Sequence, residues 1–260
     1  MIRRRSDKEL EKMHLANAIV LNTLELLKTA LEPGITTAEL DRIAADALAR
    51  EGAKAAFKGY RGFPASLCVS VNDEVVHGIP SEKKVLAEGD IVSLDLGSIV
   101  DGYYGDNAMT VGVGAISEQH SRLLTVAEQA MFKGIEAMEA GNHISDIGYA
   151  VQSHVERHGY SVVREFVGHG IGRALHEDPP VPNYVQAGRD PRLKKGMCLA
   201  IEPMVNTGQS HVKTLADKWT VVTVDGGFSA HFERSVAITD SGPWILAEPR
   251  RVYSEGASIA

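Results

Sequence analysis

Five side chains able to bind metal stand in a fixed order along these 260 residues: Asp95, Asp106, His169, Glu202 and Glu233. Four carboxylates carry enough charge to balance two divalent cations. An oxygen-rich set with one imidazole suits hard or borderline cations, unlike a thiolate zinc site. Two such ions sharing bridging carboxylates activate water against an amide or ester. Whether the five meet depends on the elements that carry them.

The first two lie in DLGSIVDGYYGDN, residues 95–107. Asp101-Gly102 is a two-residue hairpin signal. With that turn, Val100 faces Tyr103 and Gly97 faces Asp106. Asp95, two residues before Gly97, then shares a sheet face with Asp106, roughly 7 Å away along the diagonal. Two ionised carboxylates there would repel unless a cation lay between them or the face were wet. Both readings stand on this evidence alone. His169 sits in VGHGIGRALHED with glycine on each side, which leaves the ring uncovered and lets backbone approach closely. No dinucleotide-type helix follows, so this is not a phosphate loop. Glu202, in CLAIEPMV, is a charge inside an apolar strand and needs either a basic partner or a metal. Glu233, in AHFERSVAI, could pair with Arg234, sit at an edge, or bind metal. Strand alternation sends Arg234 to the opposite face.

Around these residues the periodicity predicts four helices. Residues 7–31 place Met13, Ala16, Val20, Leu24, Leu27 and Leu31 at helical spacing, and Pro33-Gly34 ends the run. Thr37 is the expected N-cap of a second helix reaching Arg50. Leu123, Ala127, Met131, Ile135 and Met138 form one stripe over 117–139; Ile144, Ile147, Val151 and Val155 form another over 143–158. Strands are expected at 66–77 with a turn at Asn72-Asp73, over 90–113, and at 161–166, 197–205, 219–224 and 231–238. Pro and Gly make 177–196 loop-rich. Helices and strands come in blocks, which favours an α+β fold with an antiparallel or mixed sheet. One domain spans 1–260, with an N-terminal arm over about 1–10 and a loose tail over about 247–260.

Net charge is −7, against the basic surplus of a nucleic-acid binder. The one dense basic run, Arg3-Arg4-Arg5, reads as a solvated terminus. Cys68 and Cys198, in strand-like flanks, read as reduced core thiols. With no signal-peptide core and no apolar run of membrane-spanning length, the expectation is a cytoplasmic protein without a membrane partner.

The residues now match a family. GYRGFPASLCVSVNDEVVHGIP, the Asp95–Asp106 pair, GHGIG with His176 seven residues after His169, IEPM and FER occur in one order. Over nearly its whole length the chain resembles type I methionine aminopeptidases of the short bacterial form, in peptidase family M24. The resemblance implies a pita-bread α+β fold: a curved antiparallel sheet with two helix pairs related by a pseudo-two-fold axis. It implies two divalent cations (manganese, iron, cobalt or zinc). Asp95 would chelate one, Asp106 and Glu233 would bridge, and His169 and Glu202 would complete the other. Glu202 would also shuttle protons. His77 would contact the scissile amide or the α-amine, and His176 would stabilise the oxyanion. Read without the resemblance, His77 is a strand-end and His176 a loop histidine. The methionine pocket would comprise Tyr60, Phe63, Cys68, Leu175 and Trp219. The chain departs from the common bacterial pattern at Phe57 (often cysteine), Phe63 (often tyrosine), Leu175 (often phenylalanine) and His231 (often glutamine).

The implied reaction removes the initiator methionine from nascent polypeptides, with a small second residue preferred. X-Pro aminopeptidases or dipeptidases share the fold and ligand order but usually carry a large N-terminal domain. Non-catalytic peptide-binding relatives typically lose ligands, and here all five are present. A monomer is expected. No recognisable ribosome-docking module is present, which leaves a transient ribosome contact open.

Overall fold

A computed structural model describes residues 2–188 and 190–250. Helix α1 (Asp7–Ala30) starts at a capping box in which Ser6 and Glu9 satisfy each other's backbone amides, and it buries Met13, Ala16, Val20, Leu24 and Leu27 as the stripe requires. Helix α2 (Thr37–Arg50) is capped by Thr36, not Thr37. The Thr36 hydroxyl accepts from the Glu39 amide at 3.2 Å, and Thr37 turns inward to Ser81. Two adjacent threonines are equivalent as capping signals, and burial decides between them. Helices α3 (Glu118–Glu136) and α4 (Ile144–Arg157) bury the predicted faces.

The strands, in chain order, begin with β1 (Lys54–Ala55), β2 (Leu67–Val71), β3 (Glu74–Val76), β4 (Ile91–Val100) and β5 (Tyr103–Gly112). After α4 come β6 (Ser161–Val162), β7 (Gly168–Gly170), β8 (Glu177–Val181), β9 (Cys198–Ile201) and β10 (Met204–Asn206). The last are β11 (Val212–Thr214), β12 (Val221–Thr223), β13 (Ser229–His231), β14 (Glu233–Thr239) and β15 (Gly242–Ile245). The main sheet runs β1-β4-β5-β14-β9-β7-β8, with β2 on β4 and β15 on β14, and its pairings are antiparallel. The α+β expectation holds.

Alternation along these strands separates core from site. Leu67, Val69, Leu94 and Leu96 enter the main core with the helices, while Cys68 and Asp95 face the other way. Helix α1 lies against Gly105, where a Cβ would stand 2.6 Å from the Ala16 backbone. Both cysteines are free and buried, as expected.

The structure departs from expectation elsewhere too. Residues 177–196 contain β8, which pairs with β7 through a register shift that leaves Asp178 and Pro179 out of the ladder. The strand expected over 161–166 is only two residues long. The terminal arm is not solvated throughout: Arg5 is buried and its guanidinium pairs with Glu177. Gly172 lacks a side chain where that guanidinium lies, since a Cβ would sit 2.1 Å from Arg5 Nη2. Only long-range packing could reveal an ion pair between residues 172 positions apart. The chain stays engaged to residue 250, with Trp244 Nε1 donating to the Glu248 carbonyl; the rest of the expected tail lies outside the described residues. No described helix is long and apolar enough to cross a membrane.

Candidate metal centre

Four of the five residues lie on strands of the main sheet, and Glu202 directly follows a fifth, β9. The turn at Asp101 and Gly102 has positive φ at both positions (51° and 76°), as a two-residue hairpin requires. It sets Gly97 opposite Asp106 and Asp95 opposite Ala108, the register read from sequence. Ala108 also faces Glu233 on β14, so Asp95, Ala108 and Glu233 form one row. Arg234 opposes Ile201; continuing that register brings Glu202, the residue after β9, level with Glu233. His169 lies on β7, the next strand. Pro203 follows and ends β9, which frees Glu202 from the ladder.

The glycines flanking His169 allow backbone contact. A Cβ on Gly168 would lie 2.3 Å from the Ala200 carbonyl, and one on Gly170 would lie 2.3 Å from that of Asp178. His169 Nδ1 lies 2.9 Å from the Gly170 carbonyl. A carbonyl only accepts, so Nδ1 donates, and in the neutral ring the Nε2 lone pair is left bare. That lone pair points at acceptors: Nε2 is 3.3 Å from Glu202 Oε1 and 3.9 Å from Asp106 Oδ2. Arg234 does not neutralise Glu233; its guanidinium bonds the carbonyls of Ala108 and Glu233. Asp95 Oδ1, Asp106 Oδ1 and Glu233 Oε1 are buried with no hydrogen-bond partner.

The electrostatics agree. Burial raises Asp95 to about 7. Burial, then neighbouring carboxylates, holds Asp106, Glu202 and Glu233 well above the usual carboxylate range. Burial also depresses His169 to about 3. The fold thus presents lone pairs and carboxylates that repel one another, with no Lys or Arg inserted between them. A cation removes that conflict, so the donor set fits divalent metal. Ligand atoms of Asp106, His169 and Glu233 lie within 4.8 Å of one another, as do those of Glu202, His231 and Glu233.

These side chains floor a cleft of about 250 Å³ whose walls are apolar: Phe57, Tyr60, Phe63, Cys68, Leu175 and Trp219. Phe63 meets Trp219 edge-on at 5.1 Å. His77 enters with its backbone in the left-handed region (φ 60°), a conformation non-glycine residues adopt at a cost. Burial holds its ring down at about 4. His176, on the rim, lies 4.2 Å centroid to centroid from His169 and bonds Tyr60 Oη through Nδ1 at 2.8 Å. Its pKa is lowered by desolvation first and the Arg61 guanidinium second. Every site residue expected from sequence therefore reaches this cleft.

The chain belongs to metallopeptidase family M24. That family's model matches residues 11–240. A methionine aminopeptidase from Clostridium acetobutylicum is 53% identical over 246 residues, covering 95% of this chain and 98% of the relative. The crystal structure of a methionine aminopeptidase from Thermotoga maritima superposes with a TM-score of 0.93 at 43% identity, covering 96% of this chain and all of that one. A Bacillus anthracis Xaa-Pro dipeptidase gives a TM-score of 0.74 at 22% identity over 96% of this chain and 63% of its own, and so shares the fold alone. Within the M24 family this chain therefore lies with the methionine aminopeptidases.

Sequence reasoning missed several parts of the cleft. Phe166 packs edge-on against His77 at 5.5 Å, and Arg61 lines the rim. Asn17, fully buried on α1, accepts from the Asp106 amide at 3.1 Å and from Asn107 Nδ2 at 2.9 Å, fixing the strand that carries a metal candidate. A polar residue inside an apolar stripe was the available signal.

Proposed function

We propose that this chain is a methionine aminopeptidase that removes the initiator methionine of new polypeptides in the cytoplasm, acting as a monomer. The observation that supports it most is the meeting of five metal-binding side chains at the end of an apolar pocket. Asp95 would hold one cation, His169 and Glu202 the second, and Asp106 and Glu233 both. Divalent cations held there would supply Lewis-acid activation of a water and of the substrate carbonyl.

The remaining roles fall to side chains. The methionine side chain enters between Tyr60, Phe63, Cys68, Leu175 and Trp219, where burial contributes about 1.5–3 kcal/mol. All departures from the common bacterial pattern in this wall are apolar, so selectivity for methionine persists. The carboxylate row faces the free α-amine, which explains attack at the first peptide bond only. Glu202 accepts the proton of the attacking water and passes it to the leaving amine. With the Tyr60 hydroxyl donating to Nδ1 of His176, the neutral ring carries its proton on Nε2 and donates to the developing oxyanion. His77, kept neutral by burial, meets the scissile amide nitrogen.

The decisive assay compares methionine release from Met-Ala-Ser with cleavage of an Xaa-Pro peptide, with and without added divalent cation. Metal-dependent release of methionine is expected. Preference for the Xaa-Pro substrate would overturn the proposal.

A further inference from the structure

The mechanism above gives no role to His231, an imidazole beside the carboxylates. His231 ends β13, two residues before Glu233, and in extended chain positions two apart share a face. It is 2% exposed. Its backbone is pinned: the Thr110 hydroxyl accepts from the His231 amide and donates to its carbonyl, both at 2.8 Å. Thr110 is held in turn by Ser93. Yet neither ring nitrogen has a hydrogen-bond partner. An unsatisfied buried polar group costs about 1–3 kcal/mol, and such groups persist where a ligand completes them.

One of the two nitrogens, His231 Nε2, lies toward the carboxylates. Nε2 lies 3.9 Å from Glu202 Oε2, too far for a hydrogen bond. The other oxygen of the same carboxylate faces His169 Nε2 at 3.3 Å. Glu202 is thus flanked by two imidazoles, one per oxygen. Donor atoms of Glu202, His231 and Glu233 lie within 4.8 Å of one another.

We propose that His231 is a further protein ligand, giving the cation position shared by Glu202 and Glu233 a second imidazole nitrogen beside that of His169. The proposal rests on the two-cation reading above. Its consequence is metal preference. Imidazole suits zinc, cobalt and iron, whereas manganese and magnesium favour oxygen donors. This chain's second position therefore selects borderline cations more strongly than a site with glutamine at 231.

The test uses full-length protein stripped of metal. Cobalt and manganese are titrated by calorimetry into wild type and His231→Gln, and the cobalt-loaded visible spectrum is recorded. Expected are a loss of cobalt affinity of about tenfold or more at one site, a smaller loss for manganese, and a changed cobalt band. X-ray absorption of the zinc-loaded wild type provides a second measurement that needs no variant. It should count two imidazoles over two cations. Unchanged cobalt affinity and spectrum in a folded His231→Gln protein would overturn the proposal, even if turnover fell. So would a count of one imidazole, whether or not the variant folds. If wild type bound no divalent cation, the two-cation reading would fail and this inference with it; if it bound two and His231 registered in neither measurement, only this inference would fail.

Discussion

Stripping divalent cations from this protein should reverse the ordinary pH dependence of its stability above pH 6.5. Asp95 titrates near 3.8 when unfolded and at about 7 in the fold. Between those values the folded chain keeps a proton that the unfolded chain has released, so stability falls as pH rises. Over about three pH units that one group accounts for up to about 4 kcal/mol. Asp106, Glu202 and Glu233, held well above the usual carboxylate range by burial and by one another, act in the same direction. Histidines act oppositely. His77, at about 4 in the fold, and His169 and His231, at about 3, are neutral there, whereas in the unfolded chain they bind a proton below 6.5. Their contribution therefore rises with pH and saturates at 6.5. Below that pH the two effects offset each other; above it the carboxylates act alone.

Each carboxylate still holding its proton should then cost about 1.4 kcal/mol per pH unit. The assay is urea unfolding followed by the fluorescence of Trp219 and Trp244, from pH 6.5 to 8, with chelator and with excess cobalt. Metal-free protein should lose stability as pH rises through this window. Cobalt should abolish the slope, because a cation favours the ionised ligands. Asp106→Asn should flatten the metal-free slope, since one titrating group is gone. Metal-free stability that stays level or rises over this window would refute the claim that the carboxylates are held together without a compensating charge.

Other outcomes follow from single contacts. Glu202→Gln should lower kcat roughly 10²–10⁴-fold, while metal-free stability at pH 8 stays the same or improves; near-normal turnover would remove Glu202 from proton transfer. Arg5→Leu removes the charged partner of the half-buried Glu177 carboxylate. It should cost about 1.5–3 kcal/mol in urea unfolding and lower activity, because Glu177 also accepts the Arg173 and Ala174 amides in the loop bearing Leu175 and His176. Gly170→Ala places a Cβ 2.3 Å from the Asp178 carbonyl. It should shift β7 and weaken cobalt binding by calorimetry, and wild-type affinity in this variant would show that β7 tolerates the displacement.

Much of the architecture was readable locally. The 3.6-residue stripes of Met13 to Leu27 and of Ile144 to Val155 fix the helices, because burying one face is a property of spacing. Asp101-Gly102 admits one tight hairpin, and its register alone brings Asp95 and Asp106 to one face. The wider site was legible through the order of motifs matching a known family, not through spacing. Tertiary structure decided the rest. Strands β4, β5, β14, β9 and β7 become neighbours through pairings that cross up to half the chain, and no local pattern encodes which strand lies beside which. Whether Thr36 or Thr37 caps α2, and whether Arg5 faces water or Glu177, was settled by burial. His231 was visible as an unusual residue. Its two unpaired nitrogens exist only once the surrounding strands close over it and shut out water.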